Sequence, residues 1–237
     1  MKDKHFKNSI ELEITLRCNS YCSQCSRHCN ILNYGNTDMS LNQINKFINQ
    51  VEKSNQILNR ISIMGGEPTL HPKLSIITQK LYNKLFITGK VKHLVIATNG
   101  LKNLPISVKK LPISIAKSSP NQKKHRCQFI APKDTYQKTC FCKVPYSCGM
   151  ALNTFGYFPC GAGGAIIRLF RLKKFIKYDF PQSPENFIDF RNEVCSLCQR
   201  YAKTPLMFNE TNSCTPSESF QKSLDEFKNS PPIYVQF

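Results

Sequence analysis

Three cysteines lie close together near the start of the 237-residue chain, in the segment Arg17-Cys18-Asn19-Ser20-Tyr21-Cys22-Ser23-Gln24-Cys25. They directly follow residues 10–16, where apolar and polar side chains alternate as in a β-strand. Thiols spaced this tightly on a loop after a strand can converge on one metal centre. Because thiolates are soft ligands, zinc and iron–sulfur clusters are the usual occupants of such a centre.

The number of cysteines bears on which metal they bind. A structural zinc site is normally closed by four protein ligands. An iron–sulfur cubane held by three cysteines instead leaves one iron free to bind another molecule. Cys29 could supply a fourth sulfur and close the site. The motifs that follow along the chain favour the three-ligand interpretation.

The first half of the chain predicts alternating strands and helices. Ser40 is a candidate N-cap for a helix, and a second helix is predicted over residues 72–86. Further strands are predicted at residues 61–64, 94–97 and 112–116. This alternation indicates right-handed βαβ units in a parallel sheet, whose ligands bind beyond the carboxyl ends of the strands. The cysteine cluster and two short motifs, Gly65-Gly66-Glu67-Pro68 and Thr98-Asn99-Gly100, all follow strands at that edge.

In this order and spacing, the three motifs resemble those of the radical S-adenosylmethionine (radical SAM) superfamily over residues 10–116. The resemblance implies an α/β fold, a partial (β/α) barrel with fewer than the six βα units usual in the family. A fifth and a sixth strand are expected at residues 126–131 and 165–169. The barrel is expected to be followed by a small C-terminal cysteine-rich module of hairpin and helix.

The resemblance also implies the cofactors. Cys18, Cys22 and Cys25 would hold a [4Fe-4S] cluster, and S-adenosylmethionine would chelate the open iron and be cleaved to a 5′-deoxyadenosyl radical. Glycine lets the backbone approach a ligand closely, and the carbonyls with the Glu67 carboxylate would accept hydrogen bonds from the ammonium of the cofactor. Gln24 stands where the family usually has an aromatic residue. The implied cofactor-binding residues are Gly65, Gly66, Glu67, Pro68, Thr98, Asn99 and Ser114.

The second half of the chain carries a further set of cysteines. Residues 149–160 predict a β-hairpin, and a helix is predicted from Ser183-Pro184 to a Cys-x2-Cys pair. This arrangement resembles the auxiliary-cluster module called Twitch, related to SPASM. The resemblance implies a second [4Fe-4S] cluster, and a structural zinc held by the same residues is the alternative. The implied ligands are Cys148, Cys160, Cys195 and Cys198, with Cys142 competing for the first position.

The remaining cysteines are expected to be small buried side chains or bystanders, with one exception. If Cys142 is not a ligand, it is the candidate catalytic residue that returns a hydrogen atom to a substrate radical, as in peptide epimerases of the superfamily. A capping box at residues 215–218 predicts a final helix. The expected division is a radical SAM partial barrel at residues 1–130, a Twitch-like module at 131–202, and a C-terminal helix and tail at 203–237.

Composition limits the expected partners. The net charge of +18 would suit a nucleic acid, but lysines are scattered and the only dense basic run is Lys123-Lys124-His125-Arg126. No apolar run is long enough for a membrane span and no export signal is visible, so a soluble cytoplasmic protein is expected. The expected substrate is a peptide or small metabolite, with a flavodoxin or ferredoxin as electron donor. The alternatives are a tRNA-modifying radical SAM enzyme and a non-catalytic zinc-binding protein.

Overall fold

A single six-stranded sheet organises the computed structural model of the chain. The structure describes residues 8–20, 22, 25–29, 32, 37–118, 144–187, 189, 193–198 and 218–237. Along the sheet the strand order is β4-β3-β2-β1-β5-β6, and all neighbouring pairs are parallel except the antiparallel β5–β6 hairpin. The strands are β1 (Ser9–Thr15), β2 (Leu58–Gly65), β3 (Val91–Thr98), β4 (Ser114–Lys117), β5 (Met150–Asn153) and β6 (Gly156–Phe158).

Helices connect or flank these strands. Those described are α1 (Leu41–Lys53), α2 (Leu74–Leu81), α3 (Ile106–Lys109), α4 (Val144–Ser147), α5 (Gly161–Leu169) and α6 (Glu218–Asn229). Helix α1 begins where expected, because the Ser40 hydroxyl accepts from the Gln43 backbone N–H while the Gln43 side chain accepts from the Ser40 backbone N–H. Helix α2 continues into one π-helical turn, Tyr82–Phe86, so the predicted helix over residues 72–86 is confirmed.

The two faces of the sheet differ in chemistry. On β1, Ile10, Leu12 and Ile14 are fully buried and belong to the same hydrophobic cluster as the apolar face of α1. Side chains alternate along a strand, so Glu11 and Glu13 project from the opposite face. There Glu11 pairs with Ser62 of β2, and Glu13 with Met64. The face away from α1 is therefore polar at its centre, and it is the face available for a reactive site.

The mixed α/β fold with a largely parallel sheet is confirmed, but the hairpin does not stand apart from it. Residues Ile10, Glu11 and Leu12 of β1 pair in parallel with Met150, Ala151 and Leu152 of β5. The hairpin thus extends the main sheet beyond β1. In this way β5 brings its own carboxyl end, and the cysteines that follow it, to the edge of the sheet where the first cysteine cluster lies.

Two expectations about the second half need correction. Residues 165–169 do not form a strand but lie in helix α5, whose first turn is capped by the Cys160 sulfur accepting from the Gly163 N–H at 3.3 Å. A short apolar run does not distinguish a strand from a buried helix, which explains the error. Near the second pair of cysteines, Pro184–Phe187 and Cys195–Leu197 form 3₁₀ turns, while Asp189 and Glu193 between them are helical, so the two ends of the predicted helix are 3₁₀ turns rather than α-helix.

Some expectations fall outside the described residues. They are the strand at residues 126–131, the hydrogen donor Cys142, and the first three residues of the capping box at 215–218. The helix that this box opens is present as α6. In the part of the chain that the structure describes, every helix is too short or too polar to cross a bilayer.

Candidate active site at the carboxyl ends of the strands

The first cysteine cluster lies on the loop that follows β1. Strand β1 ends at Thr15, three residues before Cys18. The loop then turns back on itself, with the Cys25 N–H donating to the Cys22 carbonyl at 3.2 Å and the His28 N–H donating to the Cys25 carbonyl at 3.0 Å. Cys22 is exposed, whereas Cys18 and Cys25 are half-buried. The loop therefore presents its thiols at a surface that an external molecule can reach.

The three thiols differ in acidity. A hydrogen bond from the Cys29 thiol, backbone N–H groups and the nearby Arg27 charge together lower the pKa of Cys25 to about 6, although its burial acts in the opposite direction. Burial raises the pKa of Cys18 and of Cys22, and the neighbouring Cys25 charge raises both further. The lowered pKa of Cys25 favours its thiolate, which is the form in which cysteine binds a metal.

The loop after β2 packs directly onto the backbone that leads into the cysteine loop. The Gly66 N–H donates to the Thr15 carbonyl at 2.9 Å, and the Glu67 N–H donates to the Arg17 carbonyl at 2.8 Å. A Cβ atom on Gly65 would lie 1.9 Å from the Thr15 carbonyl oxygen, and one on Gly66 would lie 2.3 Å from that of Arg17. Only glycine permits this approach, and the approach fixes the residue immediately before Cys18.

The Glu67 carboxylate joins the loops after β2 and β3. It is fully buried. Its Oε1 accepts from the hydroxyls of Thr69 and Thr98, each at 2.7 Å, and its Oε2 accepts from the Asn99 backbone N–H at 2.7 Å. A buried carboxylate needs several such donors to compensate its lost hydration. Glu67 therefore acts first as a link between the two loops.

Asn99 completes the connection to the cysteine loop. Its side-chain amide donates to Asn19 Oδ1 at 2.8 Å and to Ser20 Oγ at 3.0 Å, between the first two cysteines. The structure thus brings the cysteine loop, the Gly-Gly-Glu-Pro motif and the Thr-Asn-Gly motif together. Pro68 begins a buried 3₁₀ turn in the same region. Ser114, by contrast, is exposed and opens β4 at its amino end, away from this edge.

A salt bridge that the sequence did not indicate stabilises the start of the loop. Arg17 donates from Nε and Nη2 to the two carboxylate oxygens of Asp38 at 3.0 and 2.7 Å. Its Nη2 also donates to the Leu70 carbonyl at 2.6 Å. An arginine immediately before the first cysteine was the only sequence signal, because Asp38 lies far along the chain and in no motif.

The second set of cysteines shares one cavity. This cavity has a volume of about 160 Å³ and is lined by Cys148, Cys160, Cys195 and Cys198. The four come from three separate segments: the end of α4, the N-cap of α5 and the last 3₁₀ turn. None of the eight described cysteines forms a disulfide. The four predicted ligands are thus neighbours in space, although up to fifty residues separate them in sequence.

The fit of both sets to a metal rests on the chemistry of the donors. Each set contains only thiols as candidate ligands, which suits iron–sulfur or zinc. In the part of the chain that the structure describes, no three His, Cys, Asp or Glu side chains already lie close enough together to hold a metal ion. The first set shares a loop and the second set lines one cavity, so each set offers thiol donors in one region of the structure.

A buried ion cluster lies between the two sets of cysteines. Arg27 donates from Nε to Glu13 Oε1 and from Nη2 to Glu11 Oε2, both at 2.6 Å. Burial raises the pKa of Glu13, opposed by the Arg27 charge and by a hydrogen bond from Asn153. The alternation along β1 did not predict Arg27 as the partner of Glu11 and Glu13, because nothing in the sequence distinguished Arg27 from other charged residues on loops.

Comparisons with known proteins give a family match for part of the chain. The Radical SAM superfamily model matches residues 12–112. No curated protein is significantly similar to the chain in sequence. The match begins within β1 and covers β2, β3 and all three motifs of the site.

The solved structures that resemble this one are distant in sequence. BtrN in complex with AdoMet and 2-DOIA is 14% identical with a TM-score of 0.49, over 83% of this chain and 92% of that one. Streptococcus suis SuiB bound to precursor peptide SuiA is 20% identical with a TM-score of 0.33, over 44% of this chain and 21% of that one. SuiB bound to S-adenosylmethionine is 15% identical with a TM-score of 0.35, over 95% and 47%. The chain therefore spans less than half the length of SuiB.

Residues 12–112 thus match the Radical SAM superfamily model, and this match supports S-adenosylmethionine and a [4Fe-4S] cluster as cofactors. It also supports radical chemistry dependent on S-adenosylmethionine. Substrate, reaction type and any second cluster lie beyond what the match covers.

Proposed function

We propose that the chain is a radical SAM enzyme that reductively cleaves S-adenosylmethionine and abstracts a hydrogen atom from a peptide or small-metabolite substrate. One observation carries the proposal. Within the matched residues 12–112, the three-cysteine loop is held by hydrogen bonds from the Gly-Gly-Glu-Pro loop on one side and from Asn99 on the other.

The first site has the donors that such a cluster needs. Cys18, Cys22 and Cys25 would hold the [4Fe-4S] cluster, and the lowered pKa of Cys25 favours the thiolate that binds iron. When bound, the cluster and S-adenosylmethionine supply the 5′-deoxyadenosyl radical, and the protein orients them. Five residues would both contact the cofactors and hold the cysteine loop in place: Gly65, Gly66, Glu67, Thr98 and Asn99. Pro68 completes the proposed cofactor-binding set, and Ser114, exposed at the amino end of β4, is left out of it.

The second site would hold an auxiliary [4Fe-4S] cluster. Its support is the convergence of Cys148, Cys160, Cys195 and Cys198 on one cavity, since four thiols can close a cubane without an open iron. The surrounding residues 131–202 would then be a Twitch-like module that shares the main sheet through β5. Zinc would use the same ligands, so metal analysis must decide between the two.

Substrate and electron donor follow from more general properties. Twitch-like modules occur in enzymes that modify peptides and small metabolites, and this supports a substrate of one of those two classes. The net charge of +18 favours an acidic redox partner such as a flavodoxin or ferredoxin.

Cys142 is proposed to return a hydrogen atom to the substrate radical. If so, Cys142→Ala should leave both clusters intact and trap an unquenched substrate intermediate, and unchanged turnover would rule the role out.

The experiment is anaerobic reconstitution followed by an assay for 5′-deoxyadenosine and methionine, with dithionite as reductant and no substrate. Wild-type protein is expected to form both products in equal amounts and to hold about eight iron atoms per chain when both cubanes are present. Cys18→Ala, Cys22→Ala and Cys25→Ala should each abolish the products. A colourless protein containing zinc and forming no 5′-deoxyadenosine would refute the proposal.

A further inference from the structure

Arg27 belongs to the surroundings of both sets of cysteines. It lies two residues after Cys25 on the first loop. With Ser26 and Glu11 it also lines the cavity that holds the second set. The dipeptide Ser26-Arg27 is therefore shared between two sites that sequence analysis treats as separate.

The Arg27 side chain is held rigidly in this position. Its two ion pairs with Glu11 and Glu13 are both 2.6 Å long, and its Nη1 lies 3.3 Å from Ser26 Oγ. Only 14% of the side chain is exposed. Glu13 is held in turn by the Asn153 side chain at 3.0 Å, at the end of β5. The cysteine loop and β1 are thus joined at the Arg27 guanidinium, and β5 is connected to it through the hydrogen bond between Asn153 and Glu13.

The start of helix α5 rests on the same group. A Cβ atom on Gly161 would lie 2.7 Å from Arg27 Nη2 and 2.5 Å from Glu13 Oε1. Gly161 directly follows Cys160, the N-cap of the helix and one of the four cavity cysteines. A displacement of the guanidinium would therefore move Gly161, which is bonded to Cys160, and it would move the backbone of Arg27, which lies two residues after Cys25.

We propose that Arg27 is a positioning residue for both metal sites, so that loading of one site depends on the same side chain as loading of the other. This inference rests on the proposed function, because it takes both sets of cysteines as ligands. Residues that hold metal ligands in place commonly change metal affinity or activity by 10- to 100-fold when replaced. Arg27 would do so at two sites at once.

The test separates the two sites before changing Arg27. In one background Cys18, Cys22 and Cys25 are all replaced by Ala, and in the other Cys195 and Cys198 are. Each background then receives Arg27→Lys, which keeps the charge but cannot make the two-pronged contact with both carboxylates. Arg27→Gln is the second variant, and Arg171→Gln is the matched control, since among the described residues the Arg171 side chain donates to the exposed carbonyls of Glu226 and Ser230. Iron retention against a chelator and the EPR spectrum of the reduced protein are measured.

In both backgrounds, Arg27→Lys is expected to lower the chelator concentration for half-loss of iron by about tenfold and to change the EPR g-values. Arg171→Gln should change neither. A wild-type spectrum and retention for Arg27→Lys in either background would overturn the inference, and circular dichroism verifies that the chains compared are folded. If the Cys18/Cys22/Cys25→Ala background holds no iron even with Arg27 intact, the proposed auxiliary cluster fails and this inference fails with it.

Discussion

Replacing Gly66 by alanine should displace the cysteine loop without touching a cysteine. The added Cβ would lie 2.3 Å from the Arg17 carbonyl oxygen, whereas ordinary contacts begin at 3.4 Å, so the two segments must separate by about 1 Å. Overpacking costs about 1–3 kcal/mol. Loss of the two hydrogen bonds from Gly66 and Glu67 adds about 0.5–1.5 kcal/mol each. The free energy of unfolding should therefore fall by about 2–6 kcal/mol.

The functional effect of Gly66→Ala should exceed its effect on folding. Metal–ligand distances tolerate deviations of only about 0.2 Å, and the displaced Arg17 carries Cys18 with it. We expect the first site to lose most of its iron, and 5′-deoxyadenosine formation to fall with it, while the cavity keeps its iron. Gly89→Ala is the control. At φ +75° an added Cβ strains the backbone there as well, but no atom lies within 4 Å of it, so the control displaces no neighbouring segment. Full iron and full activity in Gly66→Ala would refute this account of the loop.

Three further outcomes test other contacts of the site. Asn99→Asp keeps the acceptor that binds the Leu101 N–H but loses both donations to the cysteine loop, so in chelator titrations only the first site should retain iron less well. Cys198→Ala should reduce the iron of the reconstituted protein from about eight to about four atoms per chain while 5′-deoxyadenosine is still formed. Burial and the Arg168 charge lower the pKa of His28 from 6.5 to about 4. The folded chain thus favours the neutral imidazole, and as the pH falls the unfolded chain takes up the proton first. The contribution of His28 to the free energy of unfolding is therefore complete above pH 6.5 and falls by about 3 kcal/mol as the pH drops to 4. Urea unfolding should show this loss in the wild type and not in His28→Asn, since asparagine accommodates the positive φ of 48° at this position.

Local patterns predicted those features whose causes are local. The alternation in β1 and the buried run in β3 predicted strands, and the convergence of three loops followed from the rule that parallel strands end at one edge. The Ser40 N-cap was likewise predicted, and the residue that it caps, Gln43, lies only three residues away. The cysteine spacing predicted the candidate ligands of the first site for the same reason.

Features that depend on contacts distant in sequence were not predictable. No local signal places β5 beside β1, since a parallel pairing is set by packing across more than a hundred residues. The Arg27 ion cluster and the role of Glu67 as a link are of the same kind, because a charged side chain does not reveal its partner. The apolar residues of α5 were mistaken for a strand because their helical cap, a cysteine, is not a typical N-cap.

The most direct test of the central claim is the EPR spectrum of the reduced first cluster, recorded with and without S-adenosylmethionine in the Cys198→Ala protein. One vacant coordination position on a cubane held by Cys18, Cys22 and Cys25 predicts that adding the cofactor shifts the g-values. Identical spectra with and without the cofactor, or no iron–sulfur signal in oxygen-free protein, would contradict the claim.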